Sequence, residues 1–286
     1  MMDYSSLDFV IATAKELNIP ISQLMLESRA QELGCSVDEA YDMMSAKLQL
    51  MEETIHERTQ MPFISSGGLS GGDAYRLNNA FKKGITIGDR MLNKMLIKAL
   101  ACTEGNRCID EFAIDPTTHI CGVVPAVLLT IMEEHEIPRD KIVMELFTAV
   151  GIGMVIANRT NLSGTQAGCQ AEYGGASTMA AGAAVEALGG TPDMVGHACS
   201  IALKNVLGLS YDSVTDFEDA PCIKHCALGV ANALTAINLS LAGIESNTSV
   251  DEVIDTMKKI GDFMNPILGE LAKVGFFDMS SAIKFN

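Results

Sequence analysis

The residues of this chain that could do chemistry are thiols, histidines and glycine-rich loops. Eight cysteines occur in 286 residues, and Cys169, Cys222 and Cys226 stand at or near apparent helix starts. A helix N-terminus lowers the pKa of a thiol and favours the thiolate. Cys222 and Cys226 are one helical turn apart, so thiolates on that face could hold zinc or an iron–sulfur cluster. Because no CxxC pair is present, the alternative that these are buried small hydrophobic residues stays open.

A glycine-rich segment, residues 65–73, precedes a helix predicted to begin at Ala74. Glycines such as Gly71 and Gly72 permit backbone conformations that other residues rarely adopt. The helix start that follows offers N–H groups and the positive end of the helix dipole, where a carboxylate or phosphate would bind well. The same pattern also fits a turn capped by Asp73, and the residues alone leave both interpretations open.

Two of the five histidines are the better candidates for a metal-ligand or acid–base role. His119 lies in the loop 115–122, and His225 stands beside the cysteine pair. The chain has no nucleophile elbow, no HExxH and no lysine motif for a pyridoxal Schiff base. These absences disfavour a serine hydrolase, a zinc protease of that type and a pyridoxal enzyme.

Charge and hydropathy exclude further classes of function. The 36 acidic and 20 basic residues give a net charge of −16, which disfavours a nucleic-acid surface because such a surface needs a basic stripe. The longest apolar stretch, residues 142–157, is interrupted by Glu145 and is short for a membrane span. No signal-peptide pattern is present at the N-terminus. We therefore expect a cytoplasmic protein without a membrane or nucleic-acid partner.

The periodicity of apolar residues predicts an all-α fold, with glycine-rich loops at helix starts carrying the chemistry. Aromatic residues make up only 5% of the chain and Trp is absent, which favours helices over a β-sandwich. We expect an N-terminal helical arm over residues 1–60 and a catalytic domain over 61–286. The predicted helices span residues 5–18, 21–33, 36–58, 74–83, 90–103, 138–157, 174–190, 221–242 and 249–274, with further starts near Pro125 and Thr191.

Several separate segments, in the same order, resemble the α chain of the iron–sulfur L-serine dehydratases. The likeness runs from about Ser65 to the C-terminus. The segments that carry it are Ser70-Gly-Gly-Asp-Ala74, Pro116-Thr117, Gly122-Val-Val-Pro-Ala-Val127, Ser163-Gly164, Gly168-Cys-Gln-Ala-Glu172, Leu188-Gly-Gly-Thr-Pro192, Leu207-Gly-Leu209, Pro221-Cys-Ile223 and Ala227-Leu-Gly229.

The resemblance implies a [4Fe–4S] cluster held by three cysteines, and no pyridoxal phosphate. An iron left open would supply a Lewis acid for the substrate hydroxyl, and L-serine would become pyruvate and ammonia. Cys169 and Cys222 match two of the ligand positions. The third position, where the family has a Cys-Asp pair, is occupied by Tyr211. Cys226 is a substitute candidate one helical turn from Cys222, and Cys121 is another.

The same resemblance supplies the other expected site residues. His119, Thr117 and Asp73 are expected to be catalytic. The expected substrate-binding residues are Ser70, Gly71, Gly72, Ser163 and Gly164.

The chain lacks the second, α/β-type segment of the family, so we expect a separate β chain and a hetero- or homo-oligomer. Tyr211 and the bulky His119 motivate two alternatives. One is a related lyase that acts on another β-substituted amino acid, as a cysteine desulfidase does. The other is a non-catalytic partner that lacks a full cluster.

Overall fold

All regular structure in the described part of the chain is helical, which confirms the predicted all-α fold. The computed structural model describes residues 5–64, 71–104, 122–160, 162, 167–210 and 219–264, with side chains from residue 224 onward in the last range. The helices in these ranges are α1 (Leu7–Leu17), α2 (Ile21–Leu33), α3 (Val37–Gln60), α4 (Asp73–Lys82), α5 (Arg90–Thr103), α6 (Val123–Glu134), α7 (Arg139–Arg159), α8 (Cys169–Ala187), α9 (Pro192–Lys204), α10 (Asp219–Leu241) and α11 (Val250–Phe263).

Local sequence fixes several of the helix starts. Ser36 and Glu39 form a reciprocal capping box at the start of α3, and Ser249 and Glu252 form another at the start of α11. In each box the hydroxyl and the carboxylate satisfy backbone N–H groups that have no partner inside the helix. Thr191 caps α9, whose first residue is a proline. These three helix starts agree with those predicted from the sequence near residues 36, 191 and 249.

Helix α8 is the central element of the fold. Every one of its side chains is buried, and α6, α7, α9 and α10 pack around it. Its alanines and glycines allow this close packing: a Cβ on Gly182 would lie 2.8 Å from the Cys199 sulfur. The apparent helix start at Cys169 and the predicted helix 174–190 belong to one helix, which begins at Cys169.

The first three helices join the same hydrophobic core as the rest of the chain. Helix α1 packs on α9, and α2 packs on α7. At the end of α7, the Arg159 guanidinium donates to the Ser5 carbonyl and to the Asp255 carboxylate of α11. The predicted division of the chain after residue 60 stays a prediction. Across the described ranges, we find no helix that is both long and apolar enough to cross a membrane.

Candidate functional site

The start of α4 is held by a buried carboxylate from the end of α5. The Glu104 side chain is fully buried, and it accepts hydrogen bonds from the backbone N–H groups of Gly72, Asp73 and Ala74 at 3.1, 2.6 and 2.9 Å. Burial raises the pKa of Glu104, and the three N–H donors oppose that shift. The anion predicted for this helix start is therefore supplied, in this structure, by the chain itself.

Two glycines bring the backbone to this helix start. Gly71 and Gly72 have φ angles of 109° and 78°, in the region that only glycine adopts without strain. A Cβ on Gly71 would lie 2.5 Å from the Phe63 carbonyl oxygen, so the two backbone segments pass in direct contact. The Asp73 carboxylate points to Arg76, at 2.8 Å in a largely exposed ion pair.

The end of α5 also meets the thiol of Cys226 on α10. This thiol is fully buried and is hydrogen-bonded to the Thr103 hydroxyl. Burial raises the pKa of Cys226 to about 12, and the neighbouring Glu104 charge adds to the shift. Cys102 lies close by, and burial together with Cys226 raises the pKa of its thiol as well. Asp73 and Cys226, both predicted from the sequence, are thus both neighbours of Glu104.

An aromatic pair joins α8 to α10 beside this thiol. The rings of Tyr173 and His225 are stacked, with centroids 5.6 Å apart and planes inclined by 28°. Tyr173 is almost fully buried, and it lies one helical turn beyond Cys169. The Ser177 hydroxyl, one turn further, bridges the carbonyls of Tyr173 and Gly229 at 2.7 and 3.1 Å. These contacts fix α8 against α10 one and two turns beyond Cys169.

Cys169 is the first residue of α8 and is only 3% exposed. The residue before it, Gly168, has a φ of 79°, and a Cβ there would lie 2.6 Å from the Leu209 carbonyl oxygen. The segment 208–210 is therefore in backbone contact with the Cys169 helix start. Tyr211, the position at which the family resemblance predicts a third cluster ligand, follows this segment directly in the sequence.

Gln170 holds the segment 208–210 against the start of α8. The Gln170 backbone N–H donates to the Leu209 carbonyl at 3.1 Å, and the Gln170 side-chain carbonyl accepts from the Gly208 N–H at 2.9 Å. Its amide nitrogen donates to the carbonyls of Ala167 and Met257 at 3.0 and 3.2 Å. One buried amide thus joins the loop before α8, the segment before residue 211, and α11.

Several predicted site residues lie outside the described residues. In the described part of the chain, no three His, Cys, Asp or Glu side chains are grouped so that they could hold a metal ion. The side chain of Cys222 is not described, although its backbone lies in the first turn of α10. The predicted site residues that lie outside the described ranges are Ser70, Thr117, His119, Cys121, Ser163, Gly164 and Tyr211.

Sequence reasoning missed Glu104, Gln170 and Tyr173. Glu104 carried one signal: an acidic residue at a helix C-terminus is unfavourable unless another part of the chain binds it. Gln170 lies inside the segment 168–172 that carried the family resemblance, but no local rule predicted its four partners. No local signal marked Tyr173, because its stacking on His225 depends on how two distant helices pack.

Comparison with known proteins adds to this geometry. The sequence model of the family described as "Serine dehydratase alpha chain" matches residues 16–276. The chain is 37% identical over 266 residues to the "Probable L-serine dehydratase, alpha chain" of Bacillus subtilis, covering 93% of this chain and 88% of that protein. It is 33% identical over 261 residues to the "L-serine dehydratase, alpha chain" of Peptoniphilus asaccharolyticus, covering 91% and 89%.

A third relative is longer than this chain. The "L-serine dehydratase" of Streptomyces coelicolor is 32% identical over 275 residues. The alignment covers 94% of this chain but only 59% of the Streptomyces protein. The rest of the Streptomyces protein lies outside the alignment.

Proposed function

Because the chain belongs to the serine dehydratase alpha-chain family, we propose that it is the α chain of an L-serine dehydratase, a lyase of amino-acid breakdown that acts in the cytoplasm. The reaction eliminates water from L-serine, and hydrolysis of the resulting enamine gives pyruvate and ammonia. The observation that carries the proposal is the family match over residues 16–276.

The proposed cofactor is a [4Fe–4S] cluster, without pyridoxal phosphate. When bound, it would supply an iron with an open coordination position as a Lewis acid for the substrate hydroxyl. Cys169 and Cys222 are the proposed ligands. Two observations support them: both lie in first helical turns, and their helices pack against each other. A thiol at such a position favours the thiolate form that a cluster needs.

The third ligand is proposed at or near position 211. The hydrogen bonds of Gln170 to Gly208 and Leu209 support this, because they hold the chain beside Cys169 just before Tyr211. Cys226 stays the substitute candidate. Its thiol is fully buried and has a high pKa, so its use as a ligand would require the end of α5 to open.

The remaining proposed roles concern substrate binding and proton transfer. Ser70, Gly71, Gly72, Ser163 and Gly164 are proposed to bind L-serine, and His119, Thr117 and Asp73 to take part in catalysis. Glu104 limits what the glycine loop can do, since the N–H groups of Gly72 and Asp73 already donate to it. Substrate contacts made by this loop would therefore use groups other than those two.

We propose that a separate β chain completes the enzyme as a hetero-oligomer. The word "alpha" in the names of the Bacillus and Peptoniphilus relatives supports this.

Anaerobic co-purification with a β-type chain tests the proposal. We expect a brown complex that contains four iron and four sulfide ions per α chain and releases pyruvate from L-serine. An iron-free, colourless complex that turns over no serine would contradict the assignment. Parallel assays of pyruvate and sulfide release from L-cysteine test the alternative, suggested by Tyr211, that the enzyme acts on another β-substituted amino acid. Sulfide release faster than serine turnover would favour that alternative.

A further inference from the structure

A cavity lies away from the site described above. It has a volume of about 910 Å³ and is bounded by helices α1, α2, α3, α7, α8 and α9. It shares no lining residue with the region around Glu104, Cys226 and Cys169. Much of its wall is apolar, with contributions from Ala14, Ile21, Met144 and Val195.

Two buried carboxylates line this cavity, and only one of them is satisfied. Glu186 is 8% exposed and accepts from the Ser22 N–H at 3.0 Å, the Ser22 hydroxyl at 2.9 Å and the Thr148 hydroxyl at 2.8 Å. Glu145 is 2% exposed, and within the described structure its Oε2 atom is buried without a hydrogen-bond donor. A buried acceptor left without a donor is costly, so a donor from solution would be favoured here.

We propose that this cavity binds a small molecule carrying a primary ammonium group on a short apolar chain, with Glu145 as its principal acceptor. An ammonium group has three N–H donors and no acceptor, which complements an unsatisfied carboxylate oxygen beside a second carboxylate. The apolar wall is suited to the carbon chain of the ligand.

Two kinds of ligand could supply this ammonium group, and a residue at the rim of the cavity distinguishes them. Lys141 is exposed, lines the cavity and interacts electrostatically with Glu145. A free amino acid would place its ammonium at Glu145 and its carboxylate at Lys141. A simple alkylamine would use Glu145 alone. Both sources share the same chemistry at the inner end of the cavity, and Lys141 distinguishes them.

The charge of Glu145 depends on what faces it. Burial and the neighbouring Glu186 raise the pKa of Glu145 to about 9, and Lys141 opposes the shift. Binding of an ammonium at pH 7 would therefore release a proton from Glu145, and affinity should rise towards pH 9. The other titratable groups on the cavity wall are Lys15 and Asp193, which form an ion pair, and Tyr41 and Asp140, which are hydrogen-bonded to each other.

Ligand-observed NMR on the full chain tests this site. The probes are n-butylamine hydrochloride and L-norvaline, with n-butanol as the uncharged match. We expect at least one of the two ammonium probes to bind at least tenfold more tightly than n-butanol. Glu145→Gln, which keeps the shape of the side chain, should weaken that binding at least tenfold. If neither ammonium probe binds, or if Glu145→Gln leaves their affinity unchanged, the proposal is wrong and the cavity holds solvent only.

Two more variants make the test independent of the folding of Glu145→Gln. Gln23 lines the cavity and is partly exposed, so Gln23→Trp adds bulk to the cavity wall and should weaken the binding of both ammonium probes. Unchanged affinities for both probes would place the ligand elsewhere and refute the site. Lys141→Gln should weaken L-norvaline and spare n-butylamine if the source is an amino acid. Lys83→Gln, at an exposed site remote from the cavity, is the matched control and should change neither affinity.

Discussion

The Glu104 carboxylate lies 2.6 Å from the backbone nitrogen of Asp73, across 31 residues of sequence. This single contact joins the end of α5 to the start of α4 and places a negative charge at the positive end of a helix dipole. It also explains why a buried acidic residue is tolerated at a helix C-terminus.

Removal of this carboxylate should destabilise the chain. We expect Glu104→Ala to lower the free energy of unfolding by about 2–4 kcal/mol, because three N–H groups lose a charged acceptor in a buried place. Denaturant unfolding of both proteins measures the change. Glu32→Ala is the control, since Glu32 forms a partly exposed ion pair with Arg29 and should cost less than about 1 kcal/mol. Equal effects of the two variants would contradict the capping role.

Cys169 should be needed for iron, whereas an equally buried cysteine should not. We expect Cys169→Ala to lose most of the iron of the anaerobic complex together with serine turnover. Cys199→Ala is matched in size and burial, but Cys199 packs against Gly182 far along α8 from its first turn. Iron analysis of the two variants decides between them. Iron retained in Cys169→Ala would remove this residue from the ligand set.

Gln170 should act as a positioning residue for the segment before residue 211. In Gln170→Ala the Gly208 N–H loses its acceptor, and the carbonyls of Ala167 and Met257 lose a donor. We expect a destabilisation of about 2–4 kcal/mol and a fall in iron content.

The matched control for Gln170→Ala is Thr178→Ala on the same helix, whose hydroxyl donates only to its own helix at Gly174. This variant should cost less than about 2 kcal/mol and keep its iron. If Gln170→Ala also keeps its iron and loses only stability, the positioning role is refuted.

The pH dependence of stability should reflect the ionisation of the Glu145 carboxyl group. Its pKa in the folded chain is about 9, against an ordinary value of 4.5. A raised carboxyl pKa means that the folded state holds the proton more tightly, so this contribution is fully present below about pH 4.5 and is lost as pH rises towards 9. The loss should approach roughly 1.4 kcal/mol per pH unit within that window.

Glu145→Gln mimics the protonated acid and should remove this loss. We expect the Tm of the wild type to fall more steeply between pH 6 and 9 than the Tm of the variant. Glu27→Gln, at an exposed position of α2, should follow the wild-type curve. Parallel curves for wild type and Glu145→Gln would show that Glu145 is ionised throughout this range.

Close packing around α8 predicts opposite effects for two glycines. A Cβ on Gly182 would press on Ile152 and lie 2.8 Å from the Cys199 sulfur, so Gly182→Ala should cost about 1–3 kcal/mol. A Cβ on Gly261 in α11 would meet Ala167 at 3.4 Å, an ordinary contact. Gly261→Ala should therefore be neutral or stabilise by up to about 1 kcal/mol through helix propensity. Thermal unfolding of the two variants tests the sign of each effect.

Much of the fold could be predicted because its determinants are local. The α5 bounds, Arg90–Thr103, and the α2 bounds, Ile21–Leu33, agree with those predicted. They agree because helix ends are set by apolar spacing and by flanking residues that lie within one or two turns of each end. The apparent helix start at Cys169 and the predicted helix 174–190 form one helix in the structure. Its continuity through Gly174 and Gly175 depends on packing among four neighbouring helices, which local sequence does not encode.

The candidate site was less predictable than the fold. Cys169 could be placed at a helix start from sequence, because the glycines before it and the family resemblance both point there. Glu104 and Gln170 act over long separations: Gln170 reaches Gly208 across 38 residues and Met257 across 87. No periodicity encodes which distant carbonyl an amide will meet, so such contacts emerge only from the packed structure.

The complete burial of α8 has a consequence for how sequences with this fold can diverge. A helix without a solvent-facing side has no position at which a larger side chain can be added without displacing a neighbouring helix. Substitutions that change the substrate are therefore confined to the loops that lead into the helix starts. In a saturation-mutagenesis library selected for growth on serine, α8 should tolerate the fewest substitutions per residue, and tolerated substitutions should concentrate in the loops and in the outer helices.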